Sequence, residues 1–302
     1  MLDLRQFAVL DAVERTGSLA GAARELHFGQ PTVSHHLRAL ERHLGVTLVE
    51  RRRTGAVLTE AGRAFLLHAR TAMAQVKAAE REVADWRDHG MVTLRIGTFA
   101  SAGARLLPRA LAALGAGSRV RVELFEGEIW ELEGRLAGGE LHCALLYDLG
   151  TDPGISGAEA ANLREVVLEH EPFQVLLGQD HPAAGAGPVD LADLAADGWI
   201  RARNLLEAGE RALMAGCGAA GFEPRTLLHS DDYGLIHAFV EAGVGVALVV
   251  PSAVDHRARV AMVPAAQDLG MRRVRFVSRL SPRPPVIDEL ERLLVAHSGG
   301  GV

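Results

Sequence analysis

A short polar edge opens the segment at residues 29–40, which reads GQPTVSHHLRAL. Pro31 suits the first turn of a helix, where its missing N–H removes no hydrogen bond. An apolar stripe at helical spacing follows, formed by Val33, Leu37, Leu40 and Leu44. Glutamine can bond adenine through two hydrogen bonds, and small Thr and Ser side chains let a helix lie deep in a major groove. The edge therefore predicts contacts with duplex DNA by Gln30, Pro31, Thr32, Ser34, His35 and Arg38.

Three consecutive arginines lie in the following stretch, VTLVERRRTGAVLTEAG. This stretch alternates like two strands around a turn at Thr54 and Gly55. The pattern predicts a wing in which Arg51, Arg52 and Arg53 meet phosphates or a minor groove. A small helical bundle with an incidental Arg-rich loop is the alternative.

The charge is divided unevenly along the 302 residues, whose formal net charge is −6. Residues 1–90 contain 13 Lys and Arg against 11 Asp and Glu, whereas the rest of the chain contains 19 against 27. A mildly basic first part before an acidic body indicates a nucleic-acid partner for the first part.

Two helical segments must position the polar edge. The first, LRQFAVLDAVERTG, places its apolar residues on one stripe and is closed by Gly17. Ser18 suits the N-cap of the second, LAGAAREL, whose alanines permit close helix crossing. The turn HFG then leads into the edge. This order predicts a mainly α winged helix-turn-helix domain over residues 1–58.

A long linker helix is predicted over residues 59–90, where glycine and proline are almost absent after Gly62. Its apolar residues follow a heptad seam: Phe65, Ala69, Ala72, Val76, Ala79, Val83 and Trp86. The seam predicts pairing with a second copy of the chain, and packing against its own chain is the alternative. In a dimer, two recognition helices would read half-sites about one helical turn, or a multiple of it, apart.

Strands and helices alternate through the body, residues 91–302. MVTLRIGTFASAGARLLPRALAAL reads as strand, loop and helix, and RVRVELFEGEIWELEGRLAGGELHCALLYD reads as strand, helix and strand. A second unit starts near Val166. The alternation predicts mainly parallel α/β sheets.

These motifs together resemble one family. GSLAGAARELHFGQPTVSHHLRALERHLGVTLVERRRTGAVLTEAG is similar to the winged head of LysR-type transcriptional regulators. HPAAGAGPVDLADLAADGWI and SDDYGLIHAFVEAGVGVALVVPSAV resemble the effector-binding region of the same family. Gly29, His35 and Val49 depart from the pattern, because the family usually has serine, arginine and phenylalanine there.

The resemblance implies an effector-binding region of two α/β subdomains that resemble periplasmic binding proteins. Subdomain I would comprise residues 91–165 and 268–302, and subdomain II residues 166–267. It also implies promoter DNA and a small-molecule effector as partners, a dimer with antiparallel linker helices, further assembly to a tetramer, and RNA polymerase as an additional partner.

Open α/β sheets bind ligands at the carboxyl ends of their strands. Thr98 and Ser101 follow the first strand of the body, in a setting suited to an anion. Glu128 follows the next strand, where the family commonly places a small hydroxyl; it would repel a carboxylate or bind an amine or hydroxyl. The resemblance implies that Arg201, Arg203, Tyr233 and Gly243–Gly245, from the second unit, lie at the same cleft. For each of these cleft residues, an ordinary cap or solvated loop position is the alternative.

The sequence contains no complete motif for a nucleotide-binding, catalytic or metal site. GCGAAG at 216–221 follows a helical pattern instead of a strand, so it favours a helix end over a nucleotide fingerprint. Nucleophile elbows, Walker loops and paired metal-ligand motifs are absent, which predicts no catalytic site, metal or cofactor. Cys143 and Cys217 fit buried thiols. No leader or membrane span is apparent, so a cytoplasmic protein is expected.

Two rival functions remain open from the sequence. One is a small-molecule sensor that acts through a protein partner, with the head as a docking device. The other is an α/β enzyme with an appended winged-helix domain. Clustered arginines and a polar recognition edge favour the DNA-binding regulator over both.

Overall fold

The computed structural model describes residues 2–298, except 54, 116–119, 151–161, 186, 256 and 282. A winged helix-turn-helix head comes first, a long helix follows, and two α/β subdomains complete the described chain. This arrangement confirms the predicted fold class. The sheets are mixed and not mainly parallel as predicted, because each has two parallel and two antiparallel strand pairings.

The head is built from α1 (Leu4–Thr16), α2 (Leu19–Glu25), α3 (Gln30–Leu44), β1 (Val49–Arg52) and β2 (Gly55–Leu58). Gly17 ends α1 in the left-handed region, at a φ of 65°. The Ser18 side chain caps α2, and Gly29 precedes α3 with Pro31 in the first turn. Each of these helix ends confirms the sequence prediction, because each depends on residues adjacent in the chain.

The core of the head receives side chains from all of its helices. Val33, Leu37 and Leu40 of α3 are buried there, as their spacing predicted. Glu41, also on α3, accepts hydrogen bonds from the Leu48 and Val49 N–H groups at 2.9 and 3.2 Å. The recognition helix and the start of the hairpin are therefore held together.

The linker helix α4 (Glu60–His89) is 30 residues long, with Thr59 as its N-cap and Gly90 as its C-cap. Its first half packs into the head core, where Phe65 meets Phe7 edge to face at 5.5 Å. Its second half is open, with Val83 68% and Trp86 59% exposed. The predicted heptad seam therefore has two parts. Its first half packs against the head of the same chain, and the apolar side chains of its second half stay exposed.

Subdomain I is a five-stranded sheet of order β4-β3-β5-β12-β6 with helices on its faces. Strand β3 pairs in parallel with β4 and β5, whereas β12 is antiparallel to β5 and β6. The elements are β3 (Val92–Thr98), α5 (Ala100–Gly115), β4 (Val120–Glu126), α6 (Ile129–Ala137), β5 (Cys143–Asp148), β6 (Leu163–Pro172), β12 (Met271–Arg279) and α9 (Pro285–Ser298).

Subdomain II is a second five-stranded sheet, of order β11-β7-β10-β8-β9. Strands β8, β9 and β10 run in parallel, and β7 is antiparallel to β10 and β11. The elements are β7 (Gln174–Gly178), β8 (Gly198–Arg201), α7 (Ala208–Ala219), β9 (Arg225–His229), α8 (Tyr233–Glu241), β10 (Val246–Val249) and β11 (Val260–Val263), with short 3-10 helices at Leu191–Leu194 and Pro251–Ala253.

The chain crosses between the subdomains twice, after β6 and after β11. The boundary predicted between residues 165 and 166 was wrong, because β6 continues to Pro172 and pairs with β12. The boundary predicted between residues 267 and 268 falls between β11 and β12. GCGAAG begins inside α7 and continues into the turn after it, as predicted.

The second half of α4 is attached to subdomain I. Arg81 donates from Nη2 to the Gly139 carbonyl at 2.7 Å, and Arg95 of β3 pairs with Asp85 at 2.6 Å. The linker helix therefore joins the head core at one end and subdomain I at the other.

Candidate functional site

The N-terminal edge of α3 presents the polar residues that the sequence singled out. Ser34 is half-buried, and the others are exposed: Gln30, Pro31, Thr32, His35 and Arg38. They share the exposed side of α3 because Val33 and Leu37 bury the opposite side in the core of the head. Gly29 forms the N-cap without a side-chain hydrogen bond, so the first N–H groups of α3 are not covered by a cap side chain.

The two adjacent histidines of α3 point in different directions. His36 stacks on Phe28 at 6.0 Å between ring centroids, while the exposed His35 ring lies 5.9 Å from that of His36, edge to face. Among the described residues no three His, Cys, Asp or Glu side chains are grouped to hold a metal ion.

The hairpin carries the three wing arginines, which are all exposed. In its register Arg51 pairs with Ala56 and Arg52 with Gly55; Thr54, part of the predicted turn, lies outside the described residues. The Ala56 N–H donates to the Gly17 carbonyl at 2.7 Å. Gly55 has a φ of 146°, and a Cβ there would collide with the same carbonyl. The wing is thereby fixed against the end of α1.

A cavity of about 290 Å³ lies between the two subdomains. Strand ends and helix starts from both sheets surround it, in agreement with the general position of ligands in open α/β sheets. Four of the six predicted effector residues line it: Ser101, Glu128, Arg201 and Tyr233.

The other predicted cleft residues lie elsewhere. Thr98 is buried outside the lining, with its hydroxyl donating to the Phe99 carbonyl at 3.2 Å and its side chain against Gly103. Arg203 is exposed outside the lining, and its backbone N–H donates to Asp231 at 3.0 Å. Gly243–Gly245 precede β10 and so lie at its amino end, where Gly245 packs on the Gly198 carbonyl. These positions are therefore not part of the described lining of this cavity.

Arg272 on β12 is the cavity residue that the sequence reading missed. It is 3% exposed, and its guanidinium donates to Glu171 at 3.1 Å, to Ser101 at 3.1 Å and to Ser252 at 2.9 Å. The same guanidinium lies 5.2 Å from the Phe99 ring centroid and 5.3 Å from that of Tyr147. The signal available in the sequence was the four arginines among the nine residues of Met271–Arg279, because arginines on a buried strand require acidic partners.

Arg201 is also engaged by an acid. Its Nε donates to the buried Glu210 carboxylate at 2.7 Å, and its Nη1 donates to Thr226 at 3.0 Å. Both arginines that line the cavity therefore have a carboxylate of their own.

Burial and neighbouring carboxylates raise the pKa of two other cavity acids, Glu128 and Glu207. Burial and the nearby Asp231 raise the pKa of Glu128, and Arg203 offsets part of this increase. Burial also raises the pKa of Glu207; a hydrogen bond from the Tyr147 hydroxyl opposes the rise, and Asp231 and Glu128 add to it. The cavity thus carries acids whose charged forms are disfavoured in the empty protein.

The two cysteines belong to different cores. Cys143 on β5 packs in subdomain I and Cys217 on α7 in subdomain II. Burial raises the pKa of Cys143 far above its usual range and that of Cys217 to about 11. Both are buried thiols, as predicted.

Two family profiles match this chain. "Bacterial regulatory helix-turn-helix protein, lysR family" matches residues 4–63, and "LysR substrate binding domain" matches residues 88–299. The chain belongs to the LysR family. It is a LysR-type transcriptional regulator, with a DNA-binding head and an effector-binding region, and the prediction that it is not an enzyme is confirmed by this membership.

Relatives and solved structures agree with the LysR assignment. The hydrogen peroxide-inducible genes activator of Dickeya chrysanthemi is 29% identical over 300 residues, which are 97% of this chain and 93% of the relative. The small neutral protease regulatory protein of Streptomyces coelicolor is 34% identical over 199 residues, 66% of this chain and 59% of the relative. Full-length BenM shares the fold, with a TM-score of 0.57 at 21% identity over 98% of both chains. No described helix of this regulator has the length and apolarity needed to span a bilayer.

Proposed function

We propose that the exposed edge of α3 binds specific operator DNA, and that the protein acts in the cytoplasm. The observation that supports DNA binding is the N-terminal turn of α3, which is polar, has no capping side chain and lies opposite a buried apolar face. Gln30, Thr32, Ser34 and His35 would contact bases, with Pro31 shaping the turn. Arg38 and the wing arginines, Arg51, Arg52 and Arg53, would hold phosphates.

The open half of α4 supports a dimer. Val76, Val83 and Trp86 are exposed on the half of the helix that the head does not cover. A second copy of α4 would bury them, and two heads would then bind two half-sites. Further assembly to a tetramer and contact with RNA polymerase are part of the same proposal.

The cavity between the subdomains would hold the small-molecule effector. Ser101, Glu128, Arg201 and Tyr233 reach it from both subdomains, so a ligand bound there contacts both sheets at once. A ligand that favours one relative position of the subdomains must also change DNA affinity or geometry, because binding free energies at linked sites are reciprocal.

We further propose that this regulator responds to a bound ligand and not to peroxide. The relative from Dickeya is named for hydrogen peroxide induction. Reaction with peroxide requires an accessible thiolate, whereas burial raises the pKa of both Cys143 and Cys217, and the two lie in separate cores. This regulator would therefore differ from that relative in its signal.

A footprint on the DNA just upstream of its own gene, repeated over a salt series, tests the function. Two protected half-sites that weaken steeply with salt are expected. Gln30→Ala should cost about 1–3 kcal/mol at one base position, whereas Arg52→Ala should weaken all sequences alike and lower the salt slope by about 1. Arg257→Ala, whose side chain is 94% exposed in subdomain II, is the control and should change neither.

Equal losses by both head variants on specific and random DNA would contradict the base-reading role of Gln30. Salt-independent binding, or none on a genome-wide selection of fragments, would contradict the DNA-binding role of this head and favour a sensor that acts through a protein partner.

A further inference from the structure

We propose that the cavity between the subdomains binds a small organic cation, an amine or guanidinium with an apolar body, through Glu128 and Glu207. This inference rests on the proposed function, in which the cavity is the effector site. It adds the chemical class of the effector.

The charges of the lining favour a cation. Five acids and two arginines line the cavity: Glu126, Glu128, Glu207, Glu210, Asp231, Arg201 and Arg272. Arg201 is paired with Glu210, and Arg272 is paired with Glu171 just outside the lining. Among the described residues, the other four lining acids form no ion pair with a lysine or arginine. The cavity therefore has an excess of negative charge that a cationic ligand would neutralise.

At Ser101, where the sequence predicted an anion site, protein side chains already bind one another. The Ser101 hydroxyl accepts a hydrogen bond from Arg272, whose other bonds go to Glu171 and Ser252. An anionic ligand would have to take this buried guanidinium from a carboxylate that it already neutralises. The N-terminus of α6, which by itself would favour an anion, is preceded by Glu128 as its N-cap, so a carboxylate already supplies that charge.

Glu128 and Glu207 both line the cavity; the charge of Glu128 disfavours that of Glu207, and Asp231 disfavours the charge of both. A cation between them would remove this repulsion and favour both charged forms. Binding would therefore be coupled to proton release, which a neutral or anionic ligand would not produce at these groups.

The walls of the cavity fit an apolar body beside the charge. Phe99, Phe173, Tyr147 and Tyr233 line it together with aliphatic side chains from both subdomains. Aromatic faces stabilise organic cations, and mostly apolar walls with a few polar groups are typical of ligand pockets. The volume of about 290 Å³ limits the ligand to a small molecule.

Calorimetry and thermal unfolding of the full-length protein test the class with matched probes. Phenethylamine and n-hexylamine are the cations, 2-phenylethanol and 1-hexanol the neutral counterparts, and 3-phenylpropionate and heptanoate the anions. The amines should bind and raise Tm, by about 5 °C or more at 100 times Kd. At pH 4.5, calorimetry in two buffers of different ionisation enthalpy should detect protons released on amine binding, because the pKa of both acids is raised above the ordinary 4.5.

The double variant Glu128→Gln, Glu207→Gln should lose about 30-fold or more in amine affinity. Glu241→Gln, an exposed position of α8 outside the lining, should retain it. Cooperative thermal unfolding of the double variant, compared with that of the wild type, reports whether its effector-binding region is folded. If it is not, the comparison of each amine with its neutral counterpart on the wild-type protein decides, and equal affinity for the two overturns the proposal.

Three further results would overturn it: binding of the carboxylates without the amines, no binding of either amine, or amine affinity unchanged in a folded double variant. None of them affects the operator footprint, which belongs to the head. Loss of sequence-specific DNA binding would instead contradict the proposed function, whatever the calorimetry of the cavity gives.

Discussion

Replacing Arg272 by methionine is expected to destabilise the effector-binding region by about 3–5 kcal/mol. The guanidinium is buried at 3% exposure and is the counterion of Glu171, which is itself only 7% exposed. Methionine preserves part of the apolar volume but leaves this carboxylate in the interior without a positive charge. The Ser101 and Ser252 hydroxyls lose a donor at the same time.

Urea unfolding of four proteins measures the interaction: the wild type, Arg272→Met, Glu171→Gln and the double variant. Removing the charge of Glu171 from the Arg272→Met protein should recover most of the lost free energy, with a coupling of about 2–3 kcal/mol. Arg259→Met, in a pair with Asp180 that is exposed on both sides, is the control and should cause no measurable loss.

The pH dependence of the free energy of unfolding tests the pairing of Arg272 with Glu171 independently. Burial alone would raise the pKa of Glu171, but the Arg272 guanidinium and the Ser252 hydrogen bond hold it below the ordinary 4.5. A carboxyl with a lowered pKa stabilises the fold above the unfolded-state value, and this contribution is lost as pH falls through the folded-state value. Without Arg272, burial dominates and the pKa rises, so the deficit of Arg272→Met should shrink as pH falls. A deficit under about 1 kcal/mol at neutral pH, or no recovery in the double variant, would refute the reasoning.

Three other outcomes are expected. Trp86→Glu should weaken self-association in sedimentation while leaving the folded head intact, since this side chain is 59% exposed beyond the head core; an unchanged sedimentation profile would contradict the dimer through α4. Glu207→Gln should raise Tm at neutral pH, because burial first and then neighbouring acids raise the pKa of Glu207, so that its charged form lowers stability. The gain in Tm should vanish as pH falls below about 4.5, and a gain that persists in acid would exclude this cause. Hydrogen peroxide should leave both cysteine thiols of the native protein unmodified and its footprint unchanged, because Cys143 and Cys217 are both buried; rapid sulfenic acid formation at either thiol would show that the protein opens to the oxidant.

The parts of the molecule that depend on neighbouring residues were predictable. Gly17, Ser18 and Pro31 mark helix ends because the chemistry of helix ends is local, and the stripe of Val33 and Leu37 fixes which edge of α3 faces outward. The fold class follows from the alternation of strands and helices, and the general place of the cavity follows from strand ends.

The errors concern distant partners and side-chain directions. Arg272 and Glu171 are 101 residues apart, and only the pairing of β12 with β6 places them side by side. Thr98 lies where expected along the chain, but its side chain turns onto α5. The boundary near Val166 was misplaced because the strand continues beyond it to pair with β12. Sequence periodicity indicates that a strand is buried, and it does not identify the sheet that the strand joins.

The attachment of α4 at both of its ends makes it a lever. At 30 residues it is about 45 Å long, with Leu66 and Ala69 in the head core at one end and Arg81 and Asp85 tied to subdomain I at the other. A tilt of about 5° at the subdomain end would move the far end by about 4 Å, slightly more than the 3.4 Å rise per base pair of DNA. A rotation of this size could therefore shift a recognition helix by about one base pair along its operator.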